Sequence, residues 1–363
     1  MLQKALGLVF VVASITGFLG CGSTANHYIY AALPAANQII VYREDPNSGV
    51  LTQIAGSPYS VGDGARSLAL HPSGKFLYAA NPGQNENDIS LFTIASNGAL
   101  TEVFPRTSVT SNASQPLLLL MDPTGSFLYV ANSGSKNISV FSIDSGSGAL
   151  TPVANSPFFF GEVPLNMQLT PSGNFLFVTI ASSSSGSIVG FSLNAGTLTQ
   201  ASVTPSDGVN PYGLAIDPSG TYLYTANSGS NSVSIFSIDS AGVLKEVQGS
   251  PLAVGSVPVT LILDPQGKFL YVANQGSNNV AAYSINATTG LPDILTTSTT
   301  TGTFSTESSP SFLAADPRGK YLYVGNQGSS AGIQAFGVSG GTLTALSTYG
   351  VGNTPSSIVV LSK

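Results

Sequence analysis

The chain has 363 residues, of which only 8% are charged, with 17 acidic side chains against 11 basic ones and a formal net charge of −6. Such a balance leaves no basic stripe to neutralise a phosphate backbone and argues against nucleic acid as a partner. The 40 glycines and 22 prolines beside 42% hydrophobic residues describe many short strands joined by tight turns, with enough apolar bulk to exclude a disordered chain.

The N-terminus carries one positive charge, Lys4, then an apolar run over residues 5–18. A bilayer span needs about 20 apolar residues, so the run reads as the core of an export signal. The single cysteine, Cys21, follows Phe18-Leu19-Gly20 and resembles the lipobox of bacterial lipoproteins. The expectation is that residues 1–20 are a signal peptide and that Cys21 is lipidated. Residues 21–26 then form a short tether, and the protein is exported to the periplasm or outer surface of a bacterial envelope, touching the membrane through its lipid alone. One cysteine allows no internal disulfide and no zinc–thiolate cluster.

From residue 27 onward one phrase recurs: an apolar strand, Asp-Pro-x-Gly, then Phe-Leu-Tyr-Val-Ala-Asn. The turns are His71-Pro72-Ser73-Gly74, Asp122-Pro123-Thr124-Gly125, Thr170-Pro171-Ser172-Gly173, Asp217-Pro218-Ser219-Gly220, Asp264-Pro265-Gln266-Gly267 and Asp316-Pro317-Arg318-Gly319. Their prolines are spaced by 51, 48, 47, 47 and 52 residues, the length of a propeller blade. The strand after the turn occurs seven times, the first copy being 28–32. The strand before it also occurs seven times, beginning near Ala65, Gln115, Val163, Asn210, Val257, Ser309 and Thr354. The first repeat lacks its leading strand and the last has only that strand, so 354–361 should pair with 28–32. These features predict an all-β, seven-bladed propeller of four-stranded antiparallel blades over 27–363, its ring closed by the two chain ends, with almost no helix.

The repeats resemble the lactonase family of seven-bladed propellers, which includes 6-phosphogluconolactonase, and are similar to the YVTN-type repeat. The resemblance implies lactone hydrolysis by His, Arg and Glu at the channel mouth. At the matching positions this chain has Asn210-Pro211-Tyr212-Gly213, Val257-Pro258-Val259-Thr260 and Asn274-Gln275, so the histidines and the glutamate are absent. Gly64-Ala65-Arg66 keeps the arginine, which makes Arg66 the one catalytic candidate the resemblance carries over.

Alternating strand direction puts the loops before the innermost strands on one face and the Asp-Pro-x-Gly turns on the other. The residues expected to line the mouth are Arg66, Gln115, Asn166, Tyr212, Thr260, Ser311 and Ser356, with Asn81, Asn132, Asn227, Asn274 and Asn326 behind them. This rim is polar and nearly uncharged, suited to neutral hydroxylated ligands. The asparagines and the turn aspartates fit turn chemistry better than catalysis. Asp63, Glu162 and Asp207 are the acidic candidates for activating water. His27 and His71 lie too far apart to share a metal, and neither a metal nor a cofactor is expected. Three functions follow: a module binding a neutral small molecule, glycan or protein at its mouth; a lactone hydrolase; or a structural envelope protein.

Overall fold

The turns that mark the repeat also shape it. Asp122 Oδ atoms accept the N–H groups of Thr124 (3.1 Å) and Phe127 (2.7 Å), and Asp264 does the same for Gln266, Lys268 and Phe269. Each carboxylate therefore ties the turn to the first residue of the following strand, the structural role that Asp before Pro predicts. In the turn where threonine replaces Asp, Thr170 Oγ1 accepts from Phe175 N instead.

A computed structural model describes residues 26–83, 86–109, 112–180, 186–296, 301–328 and 331–363. The export signal and Cys21 lie outside them. The strands form seven antiparallel sheets. Blade 1 runs outward as Ser357–Ser362, His27–Leu33, Gln38–Glu44 and Leu51–Gln53, and blade 2 as Ser67–Leu70, Phe76–Asn81, Asp88–Ile94 and Leu100–Ser108. The innermost strands of blades 3 to 7 are Pro116–Met121, Pro164–Leu169, Pro211–Ile216, Pro258–Leu263 and Pro310–Ala315. The expected closure is present, because His27–Leu33 pairs with Ser357–Ser362 in the register Tyr28↔Leu361 and Ala32↔Ser357. Pro34–Ala36, a single 3-10 turn, is the only helical segment among the described residues.

Four blades differ from a simple four-strand pattern. In blades 1, 3, 5 and 6 the outer strand is broken into two short segments that both pair with the third strand. In three of them a serine bridges the gap: Ser57, Ser156 and Ser250 Oγ accept the N–H groups of Val41, Val140 and Ile235 at 2.8 to 2.9 Å. In blades 2, 4 and 7 the outer strand is nine residues long and shifts register against its neighbour.

Adjacent blades lock through one repeated contact. The aromatic residue that opens each second strand lies on a glycine in the next blade's outer hairpin: Tyr28 on Gly98, Phe76 on Gly148, Phe127 on Gly196, Phe175 on Gly242, Tyr222 on Gly290, Phe269 on Gly341 and, closing the ring, Tyr321 on Gly49. All seven glycines have φ between +69° and +82°, and a Cβ on Gly148 would stand 2.8 Å from the Phe76 ring. The next tyrosine inward adds a hydrogen bond in the same direction, from Tyr30, Tyr78 and Tyr224 hydroxyls to the carbonyls of Gly98, Gly148 and Gly290. Gly148→Ala should therefore cost clearly more than Gly161→Ala. Gly161 shares the positive φ (+83°) but has no neighbour within 4 Å, so its loss is the backbone cost alone, roughly 1 kcal/mol. Urea unfolding of the two variants measures the difference, which is the worth of the aromatic contact.

His71 replaces Asp in the blade 2 turn. Its Nδ1 accepts from Ser73 N (3.1 Å) and its Nε2 faces Gly125 O at 3.0 Å, so the neutral Nε2–H tautomer satisfies both. Burial holds its pKa below the ordinary histidine value. A depressed folded-state pKa gives stability that is present above the unfolded value near 6.5 and lost as pH falls through the folded one. Melting temperature should fall on acidification from pH 7 to 5, and His71→Asp, the residue usual in this turn, should flatten that dependence.

Candidate functional site

The mouth is built by the way the innermost strands begin. Gln115, Asn210, Val257 and Ser309 have φ of +51° to +57°, a left-handed conformation that costs energy in non-glycine residues and most of all in a β-branched one. Three of them are held there by the preceding blade. The backbone N–H groups of Gln115, Val257 and Ser309 donate to the Oδ1 atoms of Asn87, Asn231 and Asn278 at 2.6 to 2.8 Å. Gly64 N donates to Asn37 Oδ1 in the same way. Strands expected to begin near these residues therefore start one or two positions later.

A β-bulge follows at once. In blade 5 Pro211 pairs with Asn227 and Gly213 with Ala226, which leaves Tyr212 as the extra residue. By the same register the extra residue is Leu117, Leu165, Val259 and Ser311 in blades 3, 4, 6 and 7. In blades 2 and 1 it is Arg66 and Ser356, whose N–H groups bond Ala80 O and Ala32 O. Four of the seven expected mouth residues, Arg66, Tyr212, Ser311 and Ser356, thus share one station. Gln115 stands before it, exposed. Asn166 and Thr260 stand one residue past it, 2% and 1% exposed, with Asn166 Oδ1 and Thr260 Oγ1 lacking a hydrogen-bond partner. Sequence spacing could not reveal the bulge, which brings three apolar side chains to a rim read as wholly polar.

The asparagines that end the second strands anchor their Nδ2 groups internally, while the Oδ1 atoms of Asn81, Asn132, Asn227, Asn274 and Asn326 are buried without a partner. Asn132 Nδ2 donates to Asn137 Oδ1 and Ser139 Oγ, both at 2.9 Å, and Ser139 Oγ donates to Val109 O. Asn227, Ser232 and Ser234 repeat the network, ending on Ser206 O. The acidic candidates do not gather at the station. Asp63 and Glu162 are exposed, and Asp207 lies against Glu246, whose carboxyl is pushed up by burial and by that neighbour.

Arg66 is different. Its Nε is buried without a hydrogen-bond partner. The ion pairs among the described residues, Arg106 with Glu86 and Glu102 and Arg318 with Glu44 and Asp316, do not include it. Burial pushes its pKa down, and the Tyr212 phenol opposes that shift. Blades 2 and 5 stand three steps apart, the widest separation a seven-membered ring permits. Both backbones are clamped by a neighbouring blade: Ser356 Oγ donates to Arg66 O at 2.9 Å, and Thr179 Oγ1 donates to Tyr212 O at 3.2 Å. A partly desolvated guanidinium without a carboxylate partner has the chemistry to receive an anion or an oxyanion.

The family model of the lactonase 7-bladed β-propeller matches residues 22–114, 118–209 and 204–303. The chain belongs to the lactonase family. Within it, the chain is similar to a 6-phosphogluconolactonase of Formosa agariphila, 43% identical over 91 residues, which are 24% of this chain and 25% of that protein. It is also similar to one of Bacillus subtilis, 29% identical over 133 residues, or 36% and 37% of the two chains. These matches span well under half the length of either relative. Two solved structures share the lactonase propeller fold. A 6-phosphogluconolactonase candidate from Bacteroides fragilis has a TM-score of 0.79 at 22% identity, covering 95% of this chain and 100% of that one. A periplasmic gluconolactonase of Pseudomonas aeruginosa has a TM-score of 0.76 at 19% identity, covering 93% and 99%.

A half-buried guanidinium with no carboxylate partner among the described residues opposes folding, so the lactonase propeller should gain from its removal. Arg66→Met is expected to raise stability by roughly 1 kcal/mol, read as a rise in melting temperature.

Proposed function

We propose that this protein hydrolyses sugar lactones that carry no phosphate. The observation that supports this most is Arg66, half-buried, with its Nε buried and unpartnered and its backbone carbonyl held by Ser356. Attack of water on a lactone carbonyl creates a negative oxygen, and a guanidinium whose charge no carboxylate quenches stabilises it. A single well-placed donor is worth about 10²–10³ in rate. The attacking water gives up its proton to bulk solvent, and the Tyr212 O–H can donate a proton to the departing ring oxygen and regain one from solvent. The Asn, Thr and Ser groups around the station suit the hydroxyls of a sugar.

A phosphate dianion calls for several cations, and the two arginines that pair with carboxylates, Arg106 and Arg318, are already committed. This favours an unphosphorylated substrate over a phosphorylated one. The names of the relatives favour the hydrolase over a binding module or a structural role. We also propose that the chain is exported and lipid-anchored at Cys21, which would place it with substrates outside the cytoplasm.

Turnover of gluconolactone by the purified protein should exceed the spontaneous rate and exceed that of the 6-phospho compound. Arg66→Met should lose about 10²-fold or more in kcat/KM, and Ser356→Ala should lose part of it with little change in melting temperature. Lactone binding without turnover in the wild-type protein would instead identify a binding module.

A further inference from the structure

The opposite face of the ring carries a second polar cluster, where blade 7 meets blade 1. The repeat supplies its own control there. The third-strand residue that faces the position before the second strand's aromatic is aliphatic in six blades, Ile94, Ile143, Leu193, Ile238, Ile285 and Val338, and is Glu44 in blade 1. His27 pairs directly with Glu44, and Asp316 comes from the blade 7 turn. These three side chains are 2%, 1% and 0% exposed, and one ligand atom from each lies within 4.8 Å of the others.

Arg318 Nε bonds both Asp316 oxygens at 3.0 Å, and Arg318 also pairs with Glu44 Oε1. The Tyr323 hydroxyl, at the position where tyrosines of other blades bond a glycine carbonyl, donates to Glu44 Oε2. One guanidinium thus faces two buried carboxylates. His27 Nδ1 is buried with no hydrogen-bond partner. Each carboxylate has about four lone-pair positions, so these contacts leave room for another.

We propose that His27, Glu44 and Asp316 bind a divalent transition-metal cation of the Zn²⁺ or Mn²⁺ class. One nitrogen and two carboxylate ligands suit such ions and do not suit Ca²⁺, which prefers an all-oxygen shell. Arg318 and Tyr323 then act as the hydrogen-bonding partners that orient ligating carboxylates. A cavity of about 500 Å³, bounded by Asn26, Arg43, Glu44, Asp45 and Thr52, reaches one ligand from outside. The ion would join blade 1, where the chain ends meet, to blade 7 and strengthen the ring.

The test uses the full-length protein stripped with chelator and titrated with Zn²⁺, Mn²⁺ or Ca²⁺ by calorimetry and thermal unfolding. One transition-metal ion per chain and a rise of several degrees in melting temperature are expected, both lost in His27→Ala and Glu44→Gln. Because the chain has only two histidines, imidazole NMR of the wild-type protein reads the site even if a variant fails to fold. Zn²⁺ should shift the His27 signals and leave those of His71 in place. No binding, binding that leaves His27 unmoved, or a melting temperature that responds to pH but not to metal would each overturn the proposal.

Discussion

The ring stands on a contact between a flat aromatic side chain and a glycine with positive φ, made seven times in the same direction around the axis. Each blade offers an aromatic to one neighbour and a bare backbone to the other, so no blade is complete alone. The geometry excludes every residue but glycine at the receiving position, because a side chain would meet both a ring and a disfavoured backbone conformation. This also explains why the chain ends must meet. Without Tyr321 on Gly49, one blade would keep an uncovered aromatic and its neighbour an uncovered hairpin.

Closure and the candidate site are one arrangement. The strand Ser357–Ser362 completes blade 1, and the two serines at its start reach across to blade 2. Ser356 Oγ bonds the Ala65 and Arg66 carbonyls, and Ser357 Oγ accepts the N–H of Leu68. The last residues of the chain therefore hold the arginine that carries the proposed chemistry. Arg66 itself is a burden on the fold, since nothing acidic offsets its charge. The hydrogen bonds from Ser356 hold the backbone of that arginine in place.

The blade count, the strand order and the pairing of the chain ends were legible because Asp-Pro-x-Gly and the following aromatic run are local signals with fixed spacing. The turn role of Asp122, Asp217, Asp264 and Asp316 was legible for the same reason. The mouth was less so. A bulge adds one residue without changing the alternation that a reader of sequence can see, so Gln115, Asn166 and Thr260 were assigned to a station that Leu117, Leu165 and Val259 occupy. The cluster of His27, Glu44 and Asp316 joins residues nearly 300 positions apart. Its one visible trace was a glutamate where six other repeats have an aliphatic residue, and that becomes visible only after the blades are aligned by register.

The outer strands have a meaning for the protein among its neighbours. An exposed strand edge is a template for pairing with another chain, and many proteins protect it with lysine or other charges. A chain with 8% charged residues has few to spare. Here every blade ends on an irregular edge: four are broken into segments too short to template a partner, and three slip register partway along. Backbone shape thus offers at the blade edges a protection that charge supplies elsewhere.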